Sequence, residues 1–238
     1  MPRKILILGG TGLARDAANA LHDAGCAVLT SLAGVTQYPI LPKGEIRKGG
    51  FGGVDGMVAF LKEAQFDLVV DATHPFAAQI SRHAAEACGA THTRLIRLEP
   101  PVWKPQKSDR WMEVGSVANA VAALDENVRV AVTVGRKEIG AFFGRYDISG
   151  VARMIEPPAV AVPSYWMLEL ARPPFTLEHE LALLGDNQIN VVVSKNAGGV
   201  RVAKLDAAAQ LGLPVIMVQR PEKPKVQTVA SVEALMGP

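Results

Sequence analysis

Four short runs of the chain place polar or glycine-rich residues directly after an apolar segment. They are ILIL-GGTG from Ile5, LVV-DATHP from Leu68, VAV-TVGRK from Val130 and VVV-SKNAGG from Val191. In open α/β sheets, ligands sit beyond the carboxyl ends of the strands, where helix N-termini and loop amides converge. Turns of this composition suit an anionic ligand. Glycines let backbone N–H groups approach it, and Arg136, Lys137 and Lys195 supply positive charge. His74 adds a group that titrates near neutrality, as a proton donor would.

Each turn also has a plainer reading. In DATHP, Pro75 would start a helix, where its missing N–H does no harm, and Thr73 or His74 would cap it. Taken alone, that is a well-capped turn; four such turns in one chain favour a ligand cleft. Gly10-Thr11-Gly12-Leu13-Ala14-Arg15 is a dinucleotide fingerprint with arginine in place of its last glycine. The following strand, AVLTSLAG, lacks the terminal carboxylate that grips an NAD ribose. Either NADP is preferred over NAD, or the pyrophosphate lies elsewhere and Arg15 meets an anionic substrate. Arg136 and Lys137 at a helix start oppose the helix dipole, a conflict that a bound anion relieves. Otherwise they are a solvated pair.

Other chemistries find little support. His74, His83 and His92 recur every nine residues, which does not put them on one helical face, so no metal site is expected. GxSxG and GxxxxGK[ST] are missing. A short-chain reductase would need Tyr-x-x-x-Lys, but Tyr38, Tyr146 and Tyr165 are followed four residues on by Pro42, Gly150 and Glu169. The net charge of +2 and 5% aromatic content argue against a nucleic-acid partner. Cys26 and Cys88 read as reduced core thiols. The opening apolar run stops at Gly9, too short for a signal peptide, and no run reaches membrane-spanning length. A cytoplasmic protein with no membrane partner is expected.

The elements that must position these turns alternate along all 238 residues, with 49% hydrophobic content to build a core. Short apolar strands are expected at 4–8, 26–32, 66–70, 93–97, 129–133, 151–155, 190–193 and 214–218, and a proline-containing loop leads to a further segment at 165–170. Helices are expected at 13–24, 54–63, 76–88, 116–124, 137–143, 176–184, 200–211 and 229–236. Such alternation implies parallel sheets covered on both faces. A proline-rich run from Pro100 to Asp109 is the natural linker. The fold class is therefore α/β, with two Rossmann-like domains, 1–99 and 100–238, each with a parallel sheet, and a cleft between them. No close sequence repeat is evident.

Taken with their surroundings, these turns resemble one family. The stretches are LGGTGLARDAANAL, SLAGVT, GGFGGVDGMVAFL, VVDATHPFAAQISRHAAEA, RLEPPVW, VTVGRKEIGAF, PPFTLEHELALL, VVVSKNAGG and LGLPVIMVQRP. They are similar to the precorrin-6A reductases of cobalamin biosynthesis, which include the cobalt-precorrin-6A reductases of the anaerobic route. The match spans nearly the whole chain, with GGFGG and VDATHPFA its most specific parts. The chain departs from the family at Leu13, where a glutamate is common, and at Asn196-Ala197, where Asp-Ser is common.

The resemblance implies two flavodoxin-like domains with the site between them. It also implies NADPH as cofactor and a polycarboxylated tetrapyrrole as substrate. Precorrin-6A would become precorrin-6B by hydride transfer to C19. On that basis Thr133, Gly135, Arg136, Lys137, Ser194, Lys195, Asn196, Gly198 and Gly199 are assigned to the cofactor. Gly10, Thr11, Gly12, Arg15, Asp71, Thr73 and His74 are assigned to the substrate. His74 is the first candidate proton donor and Lys195 the second. The alternatives are a cobalt-precorrin-6A reductase, or an NADP-sensing module without catalysis. The oligomeric state stays open.

Overall fold

The computed structural model describes residues 2–34 and 40–237. Tyr38 and the Val35-Thr36 part of SLAGVT lie outside the described residues. The described chain forms two units, residues 1–101 with 221–238, and residues 102–220.

The first unit begins with β1 (Lys4–Leu8), α1 (Gly12–Asp23), β2 (Ala27–Leu32), β3 (Glu45–Lys48) and α2 (Gly53–Ala64). It continues through β4 (Leu68–Asp71), α3 (Ala78–Thr91) and β5 (Leu95–Leu98). Its last elements come from the end of the chain, β12 (Gln227–Val229) and α8 (Val232–Met236). The second unit runs β6 (Arg110–Val114), α4 (Val117–Ala122), β7 (Arg129–Thr133), α5 (Gly140–Phe143), β8 (Ser149–Met154) and β9 (Trp166–Leu170). After these come α6 (Leu177–Asp186), β10 (Val191–Lys195), α7 (Ala203–Gln210) and β11 (Pro214–Val218).

Each unit holds a six-stranded, all-parallel sheet. The first sheet is ordered β12-β5-β4-β1-β2-β3 and the second β6-β11-β10-β7-β8-β9. Counted outward from β1 and from β7, both have the doubly wound dinucleotide-fold order 3-2-1-4-5-6. The sixth strands are exchanged. After β5 the chain leaves to supply the edge of the second sheet, and after β11 it returns to supply the edge of the first.

Both exchanged strands lead into a serine-capped helix. Ser116 Oγ accepts from the Asn119 amide at 3.1 Å, and Ser231 Oγ from the Ala234 amide at 3.3 Å. Val114-Gly115-Ser116-Val117 and Val229-Ala230-Ser231-Val232 match locally. Beyond that match the repeat is one of topology, which a reading of side chains does not detect. The expected second domain, 100–238, is accordingly too long, because its tail pairs with β5 and belongs to the first unit.

Strand alternation divides the first core between the two faces of its sheet. Ile5, Ile7, Leu68, Val70 and Ile96 pack with Ala14, Ala17 and Leu21 of α1, and Val232 and Leu235 of α8 lie against them. Leu6, Leu8 and Val69 face Met57 and Leu61 of α2 and Ala84, Ala87 and Cys88 of α3. In the second unit, Ala131, Val151, Val192, Val215 and Met217 bury one face under Leu184 of α6 and Leu205 of α7. Cys88 is buried and Cys26 only half-buried. Burial, with a smaller contribution from the charge of Asp71, pushes the Cys88 thiol up to about 12, so it stays protonated and unreactive. No helix of the described residues is long and apolar enough to cross a membrane.

Candidate active site

The strand order reverses between β1 and β4 in one unit and between β7 and β10 in the other. These four strands are the ones that end in GGTG, DATHP, TVGRK and SKNAGG. Each unit therefore presents one topological switch point, with two of the four turns beside it.

In the first unit Thr11 locks its two turns together. Its hydroxyl donates to the Ala72 carbonyl at 2.9 Å and accepts from the Ala14 amide at 3.0 Å, capping α1. A Cβ on Gly9 would lie 2.9 Å from Cγ2 of the buried Thr30, so a side chain there would force that neighbour to shift. Gly10, at φ +116°, has open space where a side chain would stand. The Arg15 guanidinium folds back over the loop, with Nη2 3.9 Å from a Cβ placed on Gly12.

The β4 turn is held from within. Asp71 is 2% exposed. Its Oδ1 accepts from the Thr73 hydroxyl at 2.6 Å and the Thr73 amide at 3.3 Å, and its Oδ2 from Arg97 Nε at 3.3 Å. The expected capping of α3 by Thr73 or His74 is not what forms. The helix starts later, at Ala78, and its N-cap Ala77 offers no side-chain bond. Pro75 sits in a preceding turn in which His74 Nδ1 accepts the Phe76 amide at 3.2 Å. That acceptor role places the proton of the neutral ring on Nε2. His74 itself is exposed.

In the second unit Thr133 joins the turns by donating to the Val193 carbonyl at 3.2 Å. Lys195 forms an ion pair with Glu138, tying the β10 turn to the segment after Gly135. Gly135 has φ +94° and open space at its Cβ position, and Gly198 and Gly199 also adopt positive φ. Arg136 Nη1 donates to Glu156 Oε2 at 3.2 Å, and Lys137 is exposed. One expectation is corrected here. The cations do not begin a helix, because residues 136–139 form turns and α5 has only four residues from Gly140. The conflict with a helix dipole therefore does not arise.

Ser194 is fully buried, its hydroxyl directed at the Lys195 carbonyl at 3.3 Å. Asn196 is 5% exposed and works as a splint. Its Oδ1 accepts the Trp103 amide at 2.8 Å, and its Nδ2 donates to the Trp103 carbonyl at 2.9 Å. Arg220 holds the same turn through the carbonyls of Asn196 and Ala197.

Two residues not picked out from the sequence shape these turns. Lys204 Nζ donates to Thr133 Oγ1 at 2.8 Å, from the first turn of α7. Arg97 anchors Asp71 and reaches the Pro224 carbonyl at 3.0 Å. Lys204 lies outside every stretch singled out in the sequence and Arg97 only opens RLEPPVW, and the sheet order brings both to a switch point. Among the described residues no group of three His, Cys, Asp or Glu is placed to hold a metal ion.

Comparison with known proteins agrees with this architecture. The family model described as Precorrin-6x reductase CbiJ/CobK matches residues 4–237. The chain belongs to the precorrin-6x reductase family. These are oxidoreductases of cobalamin biosynthesis. The chain is 44% identical over 241 residues to a Precorrin-6A reductase of Rhodococcus erythropolis, covering 98% of this chain and 97% of that one. A Cobalt-precorrin-6A reductase of Priestia megaterium is 28% identical over 232 residues, covering 92% and 91%. A solved structure titled CobK precorrin-6A reductase superposes with a TM-score of 0.93 at 40% identity, covering 99% of this chain and 95% of that one.

Proposed function

We propose that the protein reduces precorrin-6A to precorrin-6B, with NADPH as hydride donor and C19 of the macrocycle as acceptor. The observation that carries the reading is the pair of switch points with open, positive-φ glycines, at Gly10 and Gly135, in a member of this reductase family. The stronger resemblance to a relative named for the metal-free substrate favours precorrin-6A over its cobalt form.

The second unit suits the dinucleotide. A phosphate needs backbone approach and positive charge, and the β7 and β10 turns offer both through Gly135, Gly198, Gly199, Arg136, Lys137 and Lys195. Thr133, Ser194 and Asn196 shape those turns from beneath. The first unit suits the substrate. Gly10 and Gly12 leave room, Arg15 offers a carboxylate a bidentate fork, and Thr11, Asp71 and Thr73 hold the walls. Bound NADPH supplies the hydride; the chain supplies orientation and the exclusion of water.

The His74 Nε2 proton is the first candidate to restore neutrality after hydride arrival. Lys195, already engaged by Glu138, is the second. The test is anaerobic loss of absorbance at 340 nm. Consumption of NADPH that depends on precorrin-6A is expected. Tight NADPH binding without turnover would support a sensor, and turnover only with cobalt-loaded substrate would move the protein to the anaerobic route.

A further inference from the structure

The strand order of the second unit also says where the far end of a dinucleotide would lie. With β7 as the central strand and β8 next to it, a cofactor whose pyrophosphate rests on the β7 turn carries its adenosine ribose over the end of β8. In folds of this order a carboxylate at that point accepts the ribose hydroxyls, and a nearby arginine receives a 2′-phosphate. This chain has both. Arg136 follows Gly135 on the β7 turn, Glu156 follows β8 after Met154 and Ile155, and the two are joined at 3.2 Å. The Glu156 side chain is 18% exposed and that of Arg136 is 36% exposed, so the pair is accessible without being loose. The corresponding segment of the first unit, Leu32-Ala33-Gly34 after β2, has no ionisable group.

We infer that the Arg136–Glu156 pair reads the 2′ position of the cofactor, an inference that rests on the dinucleotide lying on the second unit. In the free protein a Glu156 carboxylate oxygen accepts from Arg136 Nη1, one of the nitrogens that a phosphate would use. A 2′-phosphate displaces it and takes the fork, whereas a 2′-hydroxyl is accepted by the Glu156 carboxylate. The two side chains therefore pull in opposite directions. Arg136 favours NADPH; Glu156 competes with its phosphate and favours NADH.

The test is direct binding, by calorimetry, of NADP+, NAD+, 2′,5′-ADP and 5′-AMP to the whole protein and to Arg136→Gln and Glu156→Gln. Arg136→Gln should weaken 2′,5′-ADP about 10- to 100-fold more than it weakens 5′-AMP, the loss of a charge-assisted contact to the 2′-phosphate. Glu156→Gln should tighten 2′,5′-ADP several-fold and weaken 5′-AMP. An NADP+ to NAD+ affinity ratio unaltered in both variants overturns the inference. Hydrogen exchange of the unmutated protein with NADP+ tests the underlying reading separately. Protection at residues 134–139 supports placement on the second unit. Protection confined to residues 9–14 defeats that placement, and the 2′ assignment falls with it. Protection at 134–139 with an unaltered ratio defeats the assignment alone.

Discussion

Lys204 Nζ and Thr133 Oγ1 stand 2.8 Å apart, and the same hydroxyl donates to Val193, so one threonine ties an ammonium to the switch point of the second sheet. Below it, Arg153 grips Glu180 with two bonds of 3.0 and 2.7 Å while its guanidinium stacks 3.9 Å over the Phe175 ring. Burial, assisted by the charge of Arg153 and opposed by that of Glu180, lowers Lys204 to about 8. The sign of the consequence follows from linkage. Below about pH 8 both folded and unfolded chains hold the proton, and the cost of burying the charge is fully present. Between about 8 and the ordinary value of 10.5 the unfolded chain holds more protons, so this contribution makes stability rise with pH. Lys204→Met removes that rise. Urea midpoints at pH 7 and pH 9.5 should converge between the two proteins at the higher pH; a constant offset contradicts the prediction.

Asn196 satisfies both backbone polar groups of Trp103 with one side-chain amide. Truncation to alanine leaves the Trp103 N–H and carbonyl without these partners in a buried place, at about 2–4 kcal/mol. Urea denaturation should register the loss. Trp103, 8% exposed, should shift its fluorescence to the red. Unchanged stability and emission would mean that the splint is redundant.

Thr11 can be tested by shape-preserving change. Thr11→Val keeps the volume but abolishes both the cap on α1 and the bond to Ala72, and should cost about 1–3 kcal/mol. Thr11→Ser retains both bonds and should lose little. If valine and serine behave alike in thermal melts, the hydroxyl is not what holds the two turns together.

His74→Ala addresses proton delivery. A positioned acid contributes roughly 100-fold or more. The variant should therefore turn over about 100-fold more slowly. Near-normal rates across the pH range would remove His74 from the mechanism.

Much of this was legible from the residues because the strands flanking a switch point are central and apolar. KILIL, LVVD, RVAVT and VVVSK carry buried side chains on both faces and end in the turns they must present. The strands that escaped were β3 (EIRK), β6 (RWMEV) and β12 (QTV), all at sheet edges, where half-exposed residues blur the pattern. Missing β6 and β12 hid the exchange of sixth strands, and with it the destination of the tail. The roles of Asp71, Asn196 and Ser194 were hidden for another reason. A polar residue in a turn looks the same in sequence whether it faces a ligand or bonds to its own backbone, and only burial distinguishes the two.

The returning tail imposes an order on biosynthesis. A ribosome makes β5 long before β12, so the edge of Leu95–Leu98 stays without its partner while the whole second unit is translated. The amino-terminal sheet thus receives the last strand to be synthesised, although it also holds the first. Any fragment cut at the proline-rich crossing inherits that unfinished border for good.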